Sequence, residues 1–182
     1  LHIALDPNTN CIAVIMKHVA GNLLSRWTDF LTTDGEKPWR NRDDEFVDTF
    51  AGRAELLEAW ERGWACLLEA LRGLGLWGKR AETKFIPDVY LNASRADRVE
   101  LLRGLLDTDG WVERWGSMRF ASTSERLARQ VAELVRSLGG WCSVRSRGTT
   151  YTSRGVKKVG RTAFVCNIHH PDPKALFHLS AK

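Results

Sequence analysis

The sequence predicts an α+β fold in which helices alternate with pairs of antiparallel strands. Three observations in the second half of the chain lead to this prediction. Apolar residues recur at helical spacing between Val99 and Leu106. Two short runs of strand-forming residues flank a tight turn at Trp115–Gly116, which is typical of a hairpin. From Ser122 onward the same order, a helix followed by two strands, appears again.

The first fifty residues carry the weakest pattern. Leu5-Asp-Pro7 offers a helix start, with an aspartate cap and proline at the first helical position. The apolar run Cys11–Met16 fits either a buried helix or a strand, because periodicity cannot separate the two over so short a stretch. We interpret Trp27–Asp34 as a strand. Residues 36–48 are charged and contain Pro38, so we expect an exposed loop there.

Residues 53–72 predict an amphipathic helix. Its apolar stripe consists of Leu57, Trp60, Trp64, Leu67, Leu68 and Leu71. Gly73 and Gly75 are expected to end it.

From Arg95 onward the predicted order is helix, two strands, helix, two strands, helix. Ser122 and Glu125 have the spacing of a capping box at the start of the second helix. Trp141–Arg147 and Thr162–Ile168 are the second pair of strands, and a turn-rich stretch over 148–155 joins them. A short helix is expected after Pro173.

The helix over 99–110 has two features that a plain surface helix would not show. Gly104 lies in its middle, where glycine costs about 1 kcal/mol relative to alanine. Such a glycine indicates that another backbone approaches closely. Asp107 and Asp109 lie at the negative end of the helix dipole, where acidic side chains are disfavoured. A cation held at this end would explain both carboxylates.

Composition limits the class of protein. The 182 residues carry a net charge of +5 and a pI near 9.2, which fits one domain or two small halves and favours a polyanionic partner. The sequence contains no apolar run of the ~18 residues that a membrane span requires. None of its four cysteines is in a C-x-x-C pair, so we expect free, buried thiols and a reducing, cytoplasmic location.

Basic residues concentrate on the predicted strands. Between Trp141 and Ile168 no acid interrupts the six basic residues Arg145, Arg147, Arg154, Lys157, Lys158 and Arg161. Arg145 and Arg147 alternate along one strand and therefore share a sheet face. Arg114 and Arg119 lie on the first hairpin. A charge run is often only a solvated face, but one sign on neighbouring strands favours contact with DNA.

The segment Leu102–Gly110 resembles the LAGLIDADG motif of homing endonucleases. The matching residues are Leu102, Gly104, Leu105, Asp107, Asp109 and Gly110, and the departures are Arg103, Leu106 and Thr108. Flanking segments resemble the endonuclease region of bacterial inteins, in the order Lys84-Phe-Ile-Pro87, Tyr90-Leu91, Ser122-Thr-Ser-Glu-Arg126 and Ser137-Leu-Gly-Gly140. The similarity extends from about Leu67 to Ile168.

This resemblance implies a fold and a chemistry. The fold would be the αββαββα unit, with a curved antiparallel sheet lying in the DNA major groove. Asp109 would be a ligand of Mg²⁺, and Lys84 would assist catalysis near it. A second lysine is expected from the strands as Lys157 or Lys158, of which we take Lys158 as the candidate. Gly104 would allow two motif helices to pack together.

The resemblance also divides the chain. Residues 95–182 would form a complete unit. Residues 1–94 would form a shortened, degenerate first unit, because Met16, Lys17 and His18 stand where its acid belongs. The alternative is that this segment is an unrelated extension on a one-motif subunit that dimerises.

The function implied is a site-specific, Mg²⁺-dependent DNA endonuclease of the intein type, acting on double-stranded DNA with a long recognition site. Because the first motif lacks its acid, the alternative is a catalytically degenerate LAGLIDADG protein that binds DNA or nicks one strand.

Overall fold

The computed structural model describes residues 1–4, 6 and 9–177 and divides the chain into two compact units, Leu1–Trp77 and Gly78–Lys182. The helices are α1 (Ile12–Trp27), α2 (Arg53–Gly73), α3 (Asp88–Leu91), α4 (Arg95–Asp109) and α5 (Glu125–Ser137). The strands are β1 (Gly110–Val112), β2 (Met118–Ser122), β3 (Trp141–Arg147), β4 (Thr150–Ser153), β5 (Val156–Val159) and β6 (Ala163–His169). The predicted α+β class and its antiparallel sheet are confirmed.

The division between the units falls after Trp77, whereas the sequence placed a boundary after residue 94. Whether the first unit is a degenerate LAGLIDADG unit or an unrelated extension stays a prediction. The helix start proposed at Leu5–Pro7 lies outside the described residues, apart from Asp6.

In the first unit, helices α1 and α2 pack against each other. The apolar run at Cys11–Met16 is helical, and α1 continues through Gly21 to Trp27. Helix α2 begins and ends within one residue of its predicted limits. Its predicted stripe is only partly correct, because Leu56 and Gly63 are buried while Leu57 is 37% exposed.

Gly63 is a point of close approach between these helices. A Cβ atom built there would lie 2.9 Å from Ala20 Cα and 3.0 Å from Ala20 O, closer than side-chain carbons normally approach a backbone. The glycine therefore lets the two helix backbones come together.

Trp27 ends α1 and the residues that follow it form turns, so the strand predicted over 27–34 is wrong. Asp29 has a φ of 50°, which an extended strand does not allow. The backbone N–H groups of Thr32 and Thr33 donate to Asp29 O at 2.9 and 3.0 Å, and their hydroxyls donate to the same oxygen. Local hydrogen bonds of this kind compete with a strand for the backbone.

The expected exposed loop over 36–48 contains a buried carboxylate. Glu45 is 6% exposed and accepts hydrogen bonds from Arg40 Nε at 2.8 Å and Arg40 Nη2 at 3.0 Å. His18 Nδ1 lies 2.8 Å from Glu45 Oε2, the oxygen that also accepts from Arg40 Nη2, and Arg40 also donates to the buried Ser25 hydroxyl at 2.9 Å. Burial alone would raise the pKa of Glu45, but the bonds from Arg40 and His18 outweigh it and lower that pKa.

The second unit contains a four-stranded antiparallel sheet with the strand order β1-β2-β6-β3. Alternate residues of its strands point to the inner face, where Met118, Phe120, Cys142, Cys166 and Ile168 are buried. Helix α5 covers this face with its own buried residues, Leu127, Ala128, Val131, Leu134 and Val135 among them. The predicted first hairpin and the predicted pairing of the strands at 141–147 and 162–168 are confirmed.

The predicted capping box of α5 is wrong, because the helix is capped two residues later than predicted. The cap is Ser124, whose hydroxyl oxygen accepts from Leu127 N at 3.1 Å and donates to Lys84 O at 2.6 Å. Ser122 Oγ instead accepts from Ser124 N. Glu125 pairs with Arg129 one turn along the helix at 2.6 Å.

Helix α4 begins at Arg95, four residues before the predicted apolar repeat. Ser94 caps it by accepting from Asp97 N at 3.2 Å. Leu102 and Leu106 are fully buried against the sheet. Gly110 follows the helix with an extended backbone, and a Cβ there would lie within 2.8 Å of Leu106 Cα, so the position requires glycine because of close contact.

A further hairpin, β4–β5, occupies much of the turn-rich stretch predicted over 148–155 and extends beyond it to Val159. Its two-residue turn is Arg154–Gly155, with φ values of 50° and 76°. Two consecutive residues with positive φ form the turn that suits the twist of a hairpin. Each residue of β4 and β5 is exposed except Ser153, which is half-buried.

The helix predicted after Pro173 is a three-residue 3-10 helix, Lys174–Leu176, and residues from 178 onward lie outside the described part. All four cysteines are free, and three are buried, while Cys66 is half-buried. Among the described residues, no helix has the length and apolar character needed to cross a membrane.

Candidate nucleic-acid interface

The outer face of the four-stranded sheet carries the side chains that alternate with the core residues. Strand pairing places Trp111, Arg119, Asn167 and Ser143 in one row across β1, β2, β6 and β3. Arg145 lies opposite Val165 in the next row, and Arg147 lies opposite Ala163. The outer face is therefore polar and basic at its centre, in contrast to the apolar inner face.

Arg145 and Arg147 are both exposed and share this face, as the alternation predicted. The inner-facing neighbours Cys142 and Val144 belong to the core or pack against it. The strand geometry agrees with the sequence here, and contact of the two arginines with DNA stays a prediction.

A shallow depression of ≈350 Å³ occupies the centre of the outer face. It is lined by Trp111, Glu113, Arg119, Arg145, Ser146, Arg147, Val165 and Asn167. Three of these residues are arginines, and Glu113 is the one acid among them. The DNA major groove, about 12 Å wide, presents acceptors that arginine side chains can bind.

Two polar atoms in this depression are buried without a hydrogen-bond partner among the described residues, namely Arg119 Nε and Asn167 Oδ1. Arg119 Nε lies 3.7 Å from Glu113 Oε1, which is too far for a hydrogen bond. Asn167 Nδ2 donates to Ser143 Oγ at 3.3 Å. Buried polar groups are normally paired, so these two atoms are available for hydrogen bonds to a bound ligand or to water.

The β4–β5 ribbon supplies further basic residues. Lys157 and Lys158 lie opposite Thr152 and Tyr151, and Arg154 forms the turn at its tip. Arg161, at the base of the ribbon, pairs with Glu82 at 2.6 Å. Arg114 is exposed in the turn between β1 and β2.

Asp109 and Lys84 lie toward the same end of the sheet. Asp109 is the exposed last residue of α4, and the next residue, Gly110, pairs with Phe120 of β2. Lys84 is exposed, and its carbonyl oxygen accepts from Ser124, four residues beyond Phe120. Strand β6 enters the sheet at this end, directly after the ribbon that carries Lys158.

The described residues contain no cluster of three or more histidine, cysteine, aspartate or glutamate side chains able to hold a metal ion. Asp109 alone offers an exposed carboxylate at the motif. A single carboxylate of this kind fits Mg²⁺, which keeps several water ligands and takes few from protein, but it amounts to part of a site.

Gly104 is exposed on α4, and nothing in its own unit lies within 4 Å of a Cβ built there. The Thr108 hydroxyl donates to the Gly104 carbonyl at 3.0 Å along the same helix face. The close approach expected at this glycine is thus not made within the second unit, and its role in packing stays a prediction.

Comparison with known families separates the two halves of the chain. Residues 97–162 match the model of a LAGLIDADG-like domain. The match covers less than half of the chain, and we refer to this part as its LAGLIDADG-like domain after the family that it resembles. The match spans α4, the sheet strands β1 to β3 and the β4–β5 ribbon, and the family is one of DNA-binding proteins that are generally nucleases. Residues 1–77 match a family described as protein of unknown function (DUF1572), with the same limits as the first unit.

Individual relatives are similar over less than half of the chain. The replicative DNA helicase DnaB of Mycobacterium intracellulare is 47% identical over 77 residues, which is 42% of this chain and 13% of the relative. Protein RecA of Mycobacterium bovis and of Mycobacterium tuberculosis is 37% identical over 82 residues, 42% of this chain and 10% of each relative. The chain thus matches about a tenth of the length of these curated relatives.

Sequence reasoning missed several side chains on the outer face of the LAGLIDADG-like domain, namely Trp111, Glu113, Ser143 and Asn167. A signal for Asn167 and Ser143 was present, because each alternates with the apolar residues of its strand. Glu113 had no such signal, because a lone acid beside a turn looks like any solvated residue.

Proposed function

We propose that the LAGLIDADG-like domain binds double-stranded DNA through the outer face of its sheet and cleaves it as a site-specific, Mg²⁺-dependent homing endonuclease. The observation that carries the proposal is the basic outer face beside the motif helix. Arginines occupy its centre, and the helix that ends in Asp109 leads directly into its edge strand.

The binding half of the proposal rests on charge and shape. Arg145 and Arg147 provide cations on the outer face of β3. Lys157 and Lys158 add one cation to each face of the separate β4–β5 ribbon, and a two-stranded ribbon is an element that the major groove admits. Lysines and arginines of this kind anchor phosphates and give binding that weakens steeply with salt. Arg154 at the ribbon tip would extend these contacts along the duplex.

The cleavage half rests on Asp109, Lys84 and Lys158. When bound, Mg²⁺ activates a water molecule and neutralises charge on the departing oxygen. The Asp109 carboxylate would hold the ion at the end of α4, and the Lys84 and Lys158 ammonium groups would face the phosphate charge. Because one carboxylate is part of a site, a second must come from elsewhere.

A homodimer would supply it. Gly104 leaves an exposed notch on α4, and a second copy of this helix packed there would bring two Asp109 side chains together. The proposed long recognition site follows from two sheets arranged side by side. We expect the protein to have twice the mass of one chain in solution, both in the absence and in the presence of DNA.

The intein origin is also a proposal. Two relatives with different names, a DnaB helicase and a RecA protein, each share about a tenth of their length with this chain. A module inserted into different host proteins would give short partial matches of this kind.

The decisive experiment uses duplexes selected by binding from a randomised library in the presence of a chelator. Addition of Mg²⁺ to the selected duplexes is expected to cut both strands. Asp109→Asn should bind the same duplexes with unchanged affinity and lose at least 100-fold in cleavage rate, on the order of a lost catalytic group. Glu133→Gln, which removes an exposed carboxylate from the middle of α5, is the matched control and should cut normally.

The competing function is a catalytically degenerate LAGLIDADG protein that binds DNA or nicks one strand. Met16, Lys17 and His18 stand where the acid of a first motif would belong, which favours this alternative. This function would be established if the selected duplexes stay intact with Mg²⁺, or if only one of their two strands is cut. Failure of the wild-type chain to select any duplex would overturn both.

A further inference from the structure

We propose that Glu113 is a specificity-determining residue that accepts a hydrogen bond from the exocyclic amino group of a cytosine in the bound DNA. The inference rests on the proposed DNA-binding function and assigns one base contact within it.

The position of Glu113 is fixed by the first hairpin. Its backbone N–H donates to Ser117 O at 2.9 Å, and its carbonyl accepts from Gly116 N at 2.8 Å. Gly116 has a φ of 85°, which favours glycine and holds the turn tight. The backbone at Glu113 is therefore held in place, and the side chain extends from it at the edge of the depression.

One carboxylate oxygen is engaged and the other is not. Glu113 Oε1 accepts from Trp111 Nε1 at 3.2 Å and lies 3.7 Å from Arg119 Nε. Among the described residues no hydrogen bond reaches Glu113 Oε2, although the side chain is 28% exposed. The indole orients the carboxylate and leaves an acceptor available on the surface.

An acid at this place needs an explanation, because the other charged residues that line the depression are arginines and the phosphates of bound DNA are negative. A carboxylate facing phosphate would be repelled. A carboxylate facing the floor of the major groove meets hydrogen-bond donors instead, and the amino group of cytosine is the donor that Glu and Asp read there.

Arg119 completes the arrangement. Its side chain is 25% exposed, and its Nε is buried without a hydrogen-bond partner among the described residues. The guanidinium therefore lies beside Glu113 without donating a hydrogen bond to it from Nε. An arginine reads guanine through O6 and N7. The acceptor of Glu113 and the donors of Arg119 thus match the cytosine and the guanine of one base pair or of neighbouring pairs.

The simpler explanation is that Glu113 only neutralises Arg119. That role predicts no change in base preference when the charge is removed. The distinction is measurable because glutamine keeps the shape of the side chain but pairs with adenine through a donor and an acceptor, whereas alanine offers neither.

The test is binding-site selection from a randomised duplex library with the full chain and its variants, read by sequencing. Wild type is expected to require cytosine at one position of each half-site. Glu113→Gln should change that position toward adenine, and Glu113→Ala should lose the preference there by roughly 5- to 150-fold, the range for one good base contact. All other positions should stay as in wild type.

Glu133→Gln is again the matched control, because it removes the same charge from α5, on the opposite side of the sheet. Far-ultraviolet circular dichroism of each variant checks that the hairpin fold survives. Identical preferences for wild type and both Glu113 variants would overturn this inference while leaving DNA binding established. A folded Glu113→Ala that selects no duplex would also overturn it, because the residue would then be needed for binding as such. A wild-type chain that selects nothing would overturn the proposed function itself.

Discussion

The two units of this chain each contain a helix with a glycine near its middle, and they use that glycine differently. In the first unit, Gly63 of α2 is buried, and the backbone of Ala20 lies against it. In the second unit, Gly104 of α4 is exposed, with open space in its own unit where a Cβ would be. A helical glycine therefore indicates room for a close approach but does not say whether the unit itself fills that room.

The cores differ as well. Among the described residues the second unit buries sixteen side chains in its main apolar cluster, whereas the first unit buries four. The first unit adds the buried charges of Arg40 and Glu45. A small apolar core makes each remaining interaction a larger share of the stability, so the first unit should respond more strongly to single substitutions.

The largest effect is expected for Glu45→Gln. Removal of one partner from a buried ion pair leaves Arg40 with an uncompensated charge, which costs about 3 to 5 kcal/mol of unfolding free energy. Hydrogen exchange followed by mass spectrometry, which reads peptides from each unit separately, should show this loss in residues 1–77 and leave the second unit unchanged. Glu36→Gln is the matched control, since its pair with Arg42 is 3.9 Å long and exposed, and should change stability by about 1 kcal/mol or less.

The same carboxylate predicts a dependence on pH. Because its pKa in the folded unit lies below the ordinary 4.5, its contribution to stability is fully present above pH 4.5 and is lost as the pH falls through the lowered value. Acid should therefore open peptides of the first unit in wild type. In Glu45→Gln this part of the pH dependence should disappear, and its persistence would contradict the assignment to Glu45.

A smaller loss is expected for Gly63→Ala. The added methyl group would lie 2.9 Å from Ala20 Cα, so the helices must separate, at about 2 kcal/mol of unfolding free energy. Exchange of the α1 and α2 peptides should rise together. Unchanged exchange would mean that the helices do not meet at this glycine.

The smallest effect has the opposite sign. Gly104→Ala should stabilise the second unit by up to about 1 kcal/mol, because alanine favours the helix and meets no neighbour in that unit. If a second copy packs at this face, the same change should weaken the dimer in sedimentation analysis. A destabilised α4 in the monomer would contradict the exposure of Gly104.

The spacing of apolar residues was sufficient to predict the helices and strands that bury one face. Helices α2, α4 and α5 and the strands β2, β3 and β6 each place apolar residues at a regular interval, and all were predicted with small errors at their ends. The β4–β5 ribbon buries no side chain, so it has no apolar alternation, and its remaining signal was the Arg154–Gly155 turn between residues that favour strands.

Sequence reasoning failed where a polar partner decides the structure. Glu45 lies in a charged stretch that looks solvated, and it is buried because Arg40 and His18 accompany it. Residues 27–34 resemble a strand in composition, but hydrogen bonds to the Asp29 carbonyl turn the chain. Of the candidate site, the sequence predicted that Arg145 and Arg147 share one sheet face, whereas the positions of Glu113 and Asn167 became clear only from the strand pairing.

The exposed ribbon has a consequence for how this domain can diversify. Substitutions on β4 and β5 disturb no buried packing, so their effect on unfolding free energy should be near zero. Its basic side chains can therefore be exchanged, lengthened or lost across generations while the scaffold beneath keeps its shape.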